Sequence, residues 1–251
     1  MTIQTDSELE SLRTVGRIAA EALEAMRQAV RPGISTAEID QVAREVIEGQ
    51  GARSAPELVY NFPGATCISV NEEVVHGVPG PRPLRPGDVV KLDVTVEKDG
   101  FMADTACTVI VEPRGAVARR LASCAKQAFS AALAVARAGE RVNRVGRIVE
   151  DTVRSQGFAV IPQLCGHGIG RTIHEEPEVP NAYDFRYRSR FEEGMVLTIE
   201  PIIASGTGEV VTAQDGWTIR TQDRSLAAHY EHTLVITRGR PLVLTSLSSI
   251  T

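Results

Sequence analysis

The sequence holds only four cysteines, Cys67, Cys107, Cys124 and Cys165, and no CxxC pair. That excludes a disulfide framework and a thiolate zinc site, and it fits a reducing compartment. No basic excess points to nucleic acid or to an anionic membrane, since the formal net charge is −5. Lysine is scarcer still. It occurs only at 91, 98 and 126, so 24 of the 27 basic residues are arginine, a skew expected of coding bias rather than of a binding surface. No run approaches the ~18 apolar residues of a membrane helix. The start, MTIQTDSELE, lacks the basic-then-apolar pattern of a signal peptide. A cytoplasmic protein without nucleic-acid or membrane partners is the resulting expectation. Nucleophilic serine chemistry lacks its G-x-S-x-G elbow. GHGIG (166–170) lacks the strand–GxGxxG–helix setting of a dinucleotide site, and in HEEPE (174–178) Glu178 and Pro177 rule out a zinc-protease helix.

What is present fits an ordinary globular chain of 251 residues, 43% hydrophobic and 24% charged. Leu9, Leu12, Val15, Ile18, Ala19, Ala22, Leu23 and Met26 recur at helical spacing until Pro32-Gly33. A second helix follows, capped by Ser35 or Thr36, with Ile39, Val42, Val46 and Ile47 on its apolar face. Strands dominate from about 66 to 111. The pattern then repeats. Gly33 to Gln50-Gly51 matches Gly139 to Gln156-Gly157 at an offset of 106, and an apolar helix at 117–135 precedes the second copy. Gly87-Asp88-Val89 stands six residues before Asp93, and Gly194-Met195-Val196 six before Glu200. Apolar spacing alone is generic, but both copies place a carboxylate at the same point of a strand. Two helix–helix–sheet halves, about 8–112 and 115–239, within one domain spanning 1–251 are the simplest reading.

The chemistry lies in those strands. KLDVTVEKDGFMADTA (91–106) reads as a hairpin about Asp99-Gly100, with Asp93 and Thr95 on one face and Leu92, Val94 and Val96 on the other. That register sets Asp93 opposite about position 106, with Asp104 its same-face neighbour within ~8 Å. A single such pair reads more readily as an exposed acidic face. The second half argues otherwise: Glu200 sits in the apolar VLTIEPII (196–203), and Glu231 begins an apolar strand at 229–236. His167 lies between glycines in GHGIG, with His174 seven residues on. Two Asp, two Glu and one imidazole suit two hard or borderline divalent ions better than one tetrahedral zinc. His229 and His232 read as structural.

In this order, and in the segments KLDVTVEKDGFMADTA, GHGIGRTIHEEP, TIEP, DGWTIRTQDRSLAAHYEHT and VVHGVPG, the chain resembles the type I methionine aminopeptidases of peptidase family M24 from about Glu8 to Gly239. The resemblance implies an α+β pita-bread fold, two pseudo-symmetric halves around a curved antiparallel sheet. It implies removal of the initiator methionine from nascent chains whose second residue is small. A water or hydroxide between two divalent ions (Co, Mn, Fe or Zn) would act as nucleophile. Asp104 and Glu231 would bridge the ions. Asp93 would serve one ion only, with His167 and Glu200 completing the other. Glu200 would also shuttle a proton, His174 would donate to the carbonyl oxygen, and His76 would contact the scissile nitrogen. Cys67, Trp217, Tyr60 and Phe62 would line the methionine pocket. YNFPGATC (60–67) is one residue shorter than the usual loop, leaving open which aromatic covers that pocket, and Ile173 stands where an aromatic is common in the family. Partners would be nascent N-termini and, transiently, the ribosome, with a monomer as default.

Two rivals remain. Xaa-Pro-cleaving relatives usually carry an extra N-terminal domain, for which the start near Glu8 leaves no room. Type II enzymes carry a long insertion in the second half, whereas His174 and Glu200 are only 26 residues apart here, and Glu200 and Glu231 only 31. A non-catalytic binding protein of the same fold would have lost ligands, and all five are present.

Overall fold

The structure, a computed structural model, describes residues 1–113 and 115–247. Helices α1 (Asp6–Ala29) and α2 (Thr36–Gly49) lead through β1 (Arg53–Ser54) into the short α3 (Ala55–Tyr60). Strands β2 (Cys67–Val70), β3 (Glu73–Val75), β4 (Val89–Lys98) and β5 (Phe101–Ile110) follow. The second helix pair is α4 (Ala116–Leu133) and α5 (Asn143–Ser155). After it come β6 (Ala159–Val160), β7 (Cys165–Gly168), β8 (Glu175–Pro180), β9 (Val196–Ile199) and β10 (Ile202–Ala204). The last strands are β11 (Val210–Thr212), β12 (Ile219–Thr221), β13 (Ala227–His229), β14 (Glu231–Val235) and β15 (Leu242–Val243).

Local chemistry sets the helix boundaries. Ser35 is the N-cap of α2 and forms a reciprocal capping box with Glu38, an arrangement that contributes about 1 kcal/mol. Gly33 and Gly139, just ahead of α2 and α5, take the same left-handed conformation, at φ +89° and +88°. α3 was not foreseen from the sequence. It begins at Ala55-Pro56 under a Ser54 cap and ends at Asn61, whose φ of +56° turns the chain inward toward Phe62.

Among the described residues the central sheet has nine strands, ordered β1-β4-β5-β14-β9-β7-β8, with β2 also on β4 and β15 on β14. Every pairing in it is antiparallel. Each half lays its helix pair over its own part of this sheet. Leu12, Val15, Ile18 and Met26 of α1 and Ile39 and Ile47 of α2 pack with Leu92, Val94 and Val96 of β4. In the other half Leu121, Cys124 and Ala128 of α4 and Val145, Val149 and Val153 of α5 pack with Leu197 and Ile199 of β9. Each fully buried aliphatic side chain contributes about 1.5–3 kcal/mol, so both helix layers are firmly seated. The face turned away from the helices is thereby left to Asp93 and its neighbours. Two three-stranded sheets, β13-β10-β6 and β11-β12-β3, adjoin this arrangement. No helix among the described residues is long and apolar enough to cross a membrane.

Candidate metal centre and its pocket

The β4–β5 hairpin turns at Asp99 and Gly100, with φ of +52° and +81°. Its register pairs Asp93 with Ala106 and Thr95 with Asp104, as the turn chemistry requires. Asp93 and Asp104 thus share the face opposite Leu92 and Val94. β14 joins the other edge of β5, pairing Glu231 with Ala106 and so bringing Glu231 to the same place from the second half. Thr233 locks this seam, because its Oγ1 accepts from the Asp104 N–H and donates to the Asp104 carbonyl, both at 2.8 Å.

His167 reaches the cluster because its flanking residues have no side chains. A Cβ at Gly166 would stand 2.5 Å from the Thr198 carbonyl oxygen, and one at Gly168 2.3 Å from that of Glu176. The imidazole Nδ1 lies 2.9 Å from the Gly168 carbonyl. A carbonyl only accepts, so Nδ1 carries the proton and Nε2 is left free. That Nε2 stands 3.5 Å from Glu200 Oε1. Glu200 occupies the break between β9 and β10 rather than the interior of one strand, as its apolar surroundings had suggested. Pro201 next to it has no N–H to continue the ladder. Thr198, fully buried between the two, donates to Glu200 Oε1 at 3.1 Å and accepts from the His167 N–H at 3.1 Å.

The electrostatics of this cluster demand a counter-charge. Asp104, His167, Glu200 and Glu231 are all buried. Burial first, and then mutual repulsion, pushes Asp93, Asp104, Glu200 and Glu231 well above the ordinary carboxylate range. Asp104 Oδ1 and Glu231 Oε1 are buried with no hydrogen-bond partner among the described residues, and such orphaned acceptors are costly. Burial, and for His76 and His167 also the nearby His174, lowers His76, His167 and His229 to about 4, which keeps them neutral donors near pH 7. One oxygen each from Asp104 and Glu231 and one nitrogen from His167 lie within 4.8 Å of one another. An oxygen-rich set with a neutral imidazole and orphaned carboxylate oxygens fits divalent cations.

All eleven residues singled out from the sequence line one cavity of 320 Å³. The carboxylates, with His167, are joined there by Thr95. His76, at φ +57°, and His174 stand on the same cavity, and the His174 ring lies 4.3 Å, centroid to centroid, from that of His167. Cys67, which pairs with Asp93 across β2 and β4, Phe62 and Trp217 form an apolar side of the cavity. Phe62 is buried and meets Trp217 edge to face at 5.2 Å. Tyr60 stands at the rim, 42% exposed, with its hydroxyl 2.6 Å from His174 Nδ1. Ile173 is buried and adds to the lining.

One further residue of the lining was not among those singled out as functional. His229, read as structural, points its ring into the carboxylate cluster. Its place depends on the β10–β13 pairing of Ile202 with His229, which no local pattern announces.

The model of metallopeptidase family M24 matches residues 10–238. The chain belongs to this family. Methionine aminopeptidase 2 of Bacillus subtilis is 44% identical over 98% of this chain and 100% of its own length. The methionine aminopeptidase of Escherichia coli is 40% identical over 98% and 94%. The crystal structure of the Thermotoga maritima methionine aminopeptidase superposes with a TM-score of 0.95 at 35% identity, covering 98% of this chain and 100% of that one. Prolidase from Pyrococcus furiosus, at 22% identity and a TM-score of 0.80, shares the fold.

Proposed function

We propose that this M24 metallopeptidase is a type I methionine aminopeptidase, which removes the N-terminal methionine of nascent chains whose second residue is small. The observation that carries the reading is a buried cluster of four carboxylates and an imidazole, open to a cavity with an apolar wall. The relatives of like length that align end to end are named for this activity. Asp93, Asp104, His167, Glu200 and Glu231 would hold two divalent ions, drawn from Co, Mn, Fe and Zn. When bound, such a pair lowers the pKa of a shared water toward neutrality and holds the substrate's amino group and scissile carbonyl.

The rest belongs to the chain. Cys67, Phe62 and Trp217 take the methionine side chain, for which sulfur and aromatic faces are soft, polarizable partners. Glu200, whose carboxyl is pushed upward by burial, accepts a proton from the attacking water and returns it to the leaving nitrogen. The Tyr60 hydroxyl stands 2.6 Å from His174 Nδ1 and, by donating to it, would put the ring proton on Nε2. From there the ring donates a hydrogen bond to the carbonyl oxygen as that oxygen turns anionic. His76 lies against the peptide beyond the scissile bond. A monomer in the cytoplasm, meeting its substrates transiently at the ribosome, belongs to the same proposal.

The test is methionine release from Met-Ala-Ser by metal-stripped protein with Mn or Co added back, beside an Xaa-Pro peptide. Metal-dependent release from Met-Ala-Ser alone is expected. Cleavage of only the Xaa-Pro peptide would move the chain to the prolidase branch. No cleavage of either, with two ions bound, would sink the enzymatic reading.

A further inference from the structure

The centre contains a second imidazole that the five-ligand reading leaves without a task. His229 ends β13 with 1% of its surface exposed. Neither ring nitrogen has a hydrogen-bond partner among the described residues. The backbone that carries the ring is held on both sides. Thr108 Oγ1 accepts from the His229 N–H at 2.9 Å and donates to its carbonyl at 2.8 Å, the same two-way clamp that Thr233 applies to Asp104.

The Nε2 atom faces two carboxylates, 3.4 Å from Glu231 Oε2 and 3.7 Å from Glu200 Oε2. Both separations exceed the roughly 2.7–3.2 Å of an N–H···O hydrogen bond. They match instead the edge of a coordination shell: two donors about 2.1 Å from one ion, at a tetrahedral angle, stand about 3.4 Å apart. His167 Nε2 keeps nearly the same spacing, 3.5 Å, from the other oxygen of Glu200. One imidazole therefore stands against each oxygen of that carboxylate. Glu200, His229 and Glu231 also offer three donor atoms within 4.8 Å of one another, a set distinct from that of Asp104, His167 and Glu231.

We propose that His229 Nε2 is a sixth protein ligand of the centre, beside Glu200 and Glu231. The inference rests on the two-metal reading above. It makes the donor set richer in nitrogen, which shifts preference from manganese toward cobalt, iron and zinc.

The experiment is proton NMR, in ordinary water, of the full-length protein loaded with two equivalents of Co(II). Each histidine bound through Nε2 contributes one solvent-exchangeable, hyperfine-shifted Nδ1–H resonance. Two such resonances are expected, one of which disappears in His229→Ala together with a roughly tenfold or greater weakening of one cobalt site in a titration. His229→Gln, which keeps a polar side chain in the space, should give the same single resonance and separates ligand loss from misfolding. A single resonance in the parent protein, with both cobalt ions bound, would overturn the proposal and leave the two-metal reading standing. Failure to bind two cobalt ions would overturn both.

Discussion

At Glu200 two requirements meet in one side chain, metal ligation and proton transfer. Its Oε1 accepts from Thr198 and faces His167, and its carboxyl is pushed upward by burial and by Glu231, Asp104 and Asp93. Glu200→Gln keeps the volume and one oxygen but removes the charge and the basic site. The expected result is a fall in kcat of about 10²- to 10⁴-fold, the range of a lost general acid–base group, with a much smaller change in KM. Steady-state kinetics on Met-Ala-Ser at saturating metal decide it. A variant with near-parental kcat would remove Glu200 from the proton path. At this scale the sequence is legible wherever chemistry is conspicuous: an acid in an apolar strand, as at Glu200 and Glu231, has few uses. His229 was not legible, because it ends β13 and meets the carboxylates only once β10 and β13 pair.

Among the elements, the β4–β5 hairpin was readable in full because its register depends on one local turn. α3 was not, since six residues beginning Ala-Pro show no helical period and the helix is set by the Ser54 cap and the left-handed Asn61. The strand break at Glu200 is likewise tertiary, with β9 joining the central sheet and β10 a separate three-stranded one. The β7–β8 pair offers the sharpest test at this scale. A Cβ on Gly168 would meet backbone on the neighbouring strand, the Glu176 oxygen at 2.3 Å and its carbon at 2.7 Å, and neither can swing aside as a flexible side chain does. Gly168→Ala is therefore expected to cost about 1–3 kcal/mol, as overpacking does, and to displace His167, weakening metal binding. Gly49, which ends α2 with open space around it, is the control. Gly49→Ala should be neutral or stabilising by up to about 1 kcal/mol. Urea unfolding of both variants, paired with a metal titration, tests the contrast, and equal midpoints would show that β8 yields at no cost.

For the molecule as a whole, the centre lies on the seam of the two halves, with Asp93 and Asp104 supplied by one and His167, Glu200 and Glu231 by the other. A repeated carboxylate position was the sequence's sign of this arrangement, and the seam makes metal content a matter of global stability. Four carboxylates raised above their ordinary 3.8–4.5 hold protons in the folded chain that the unfolded chain has released. The folded state thus binds more protons, and the metal-stripped protein loses stability as pH rises from that range toward the raised values. His76, His167 and His229, lowered to about 4, act in the opposite sense, costing stability as pH falls from 6.5 to about 4. Above pH 6.5 those imidazoles are neutral in the folded chain, and the residual charging of the unfolded chain is common to stripped and loaded protein, so only the carboxylates of the cluster change their difference. Buried Lys91, lowered to about 7, also titrates there, but it is common to stripped and loaded protein and drops out of their difference. Bound cations neutralise the carboxylates and remove their penalty. The gap in Tm between protein saturated with Mn and protein stripped with chelator should therefore widen steadily from pH 6.5 to 8. Calorimetry at matched ionic strength measures it, and a gap that stays constant or narrows would mean that the cluster's carboxylates are fully ionised without metal and that something else offsets their repulsion.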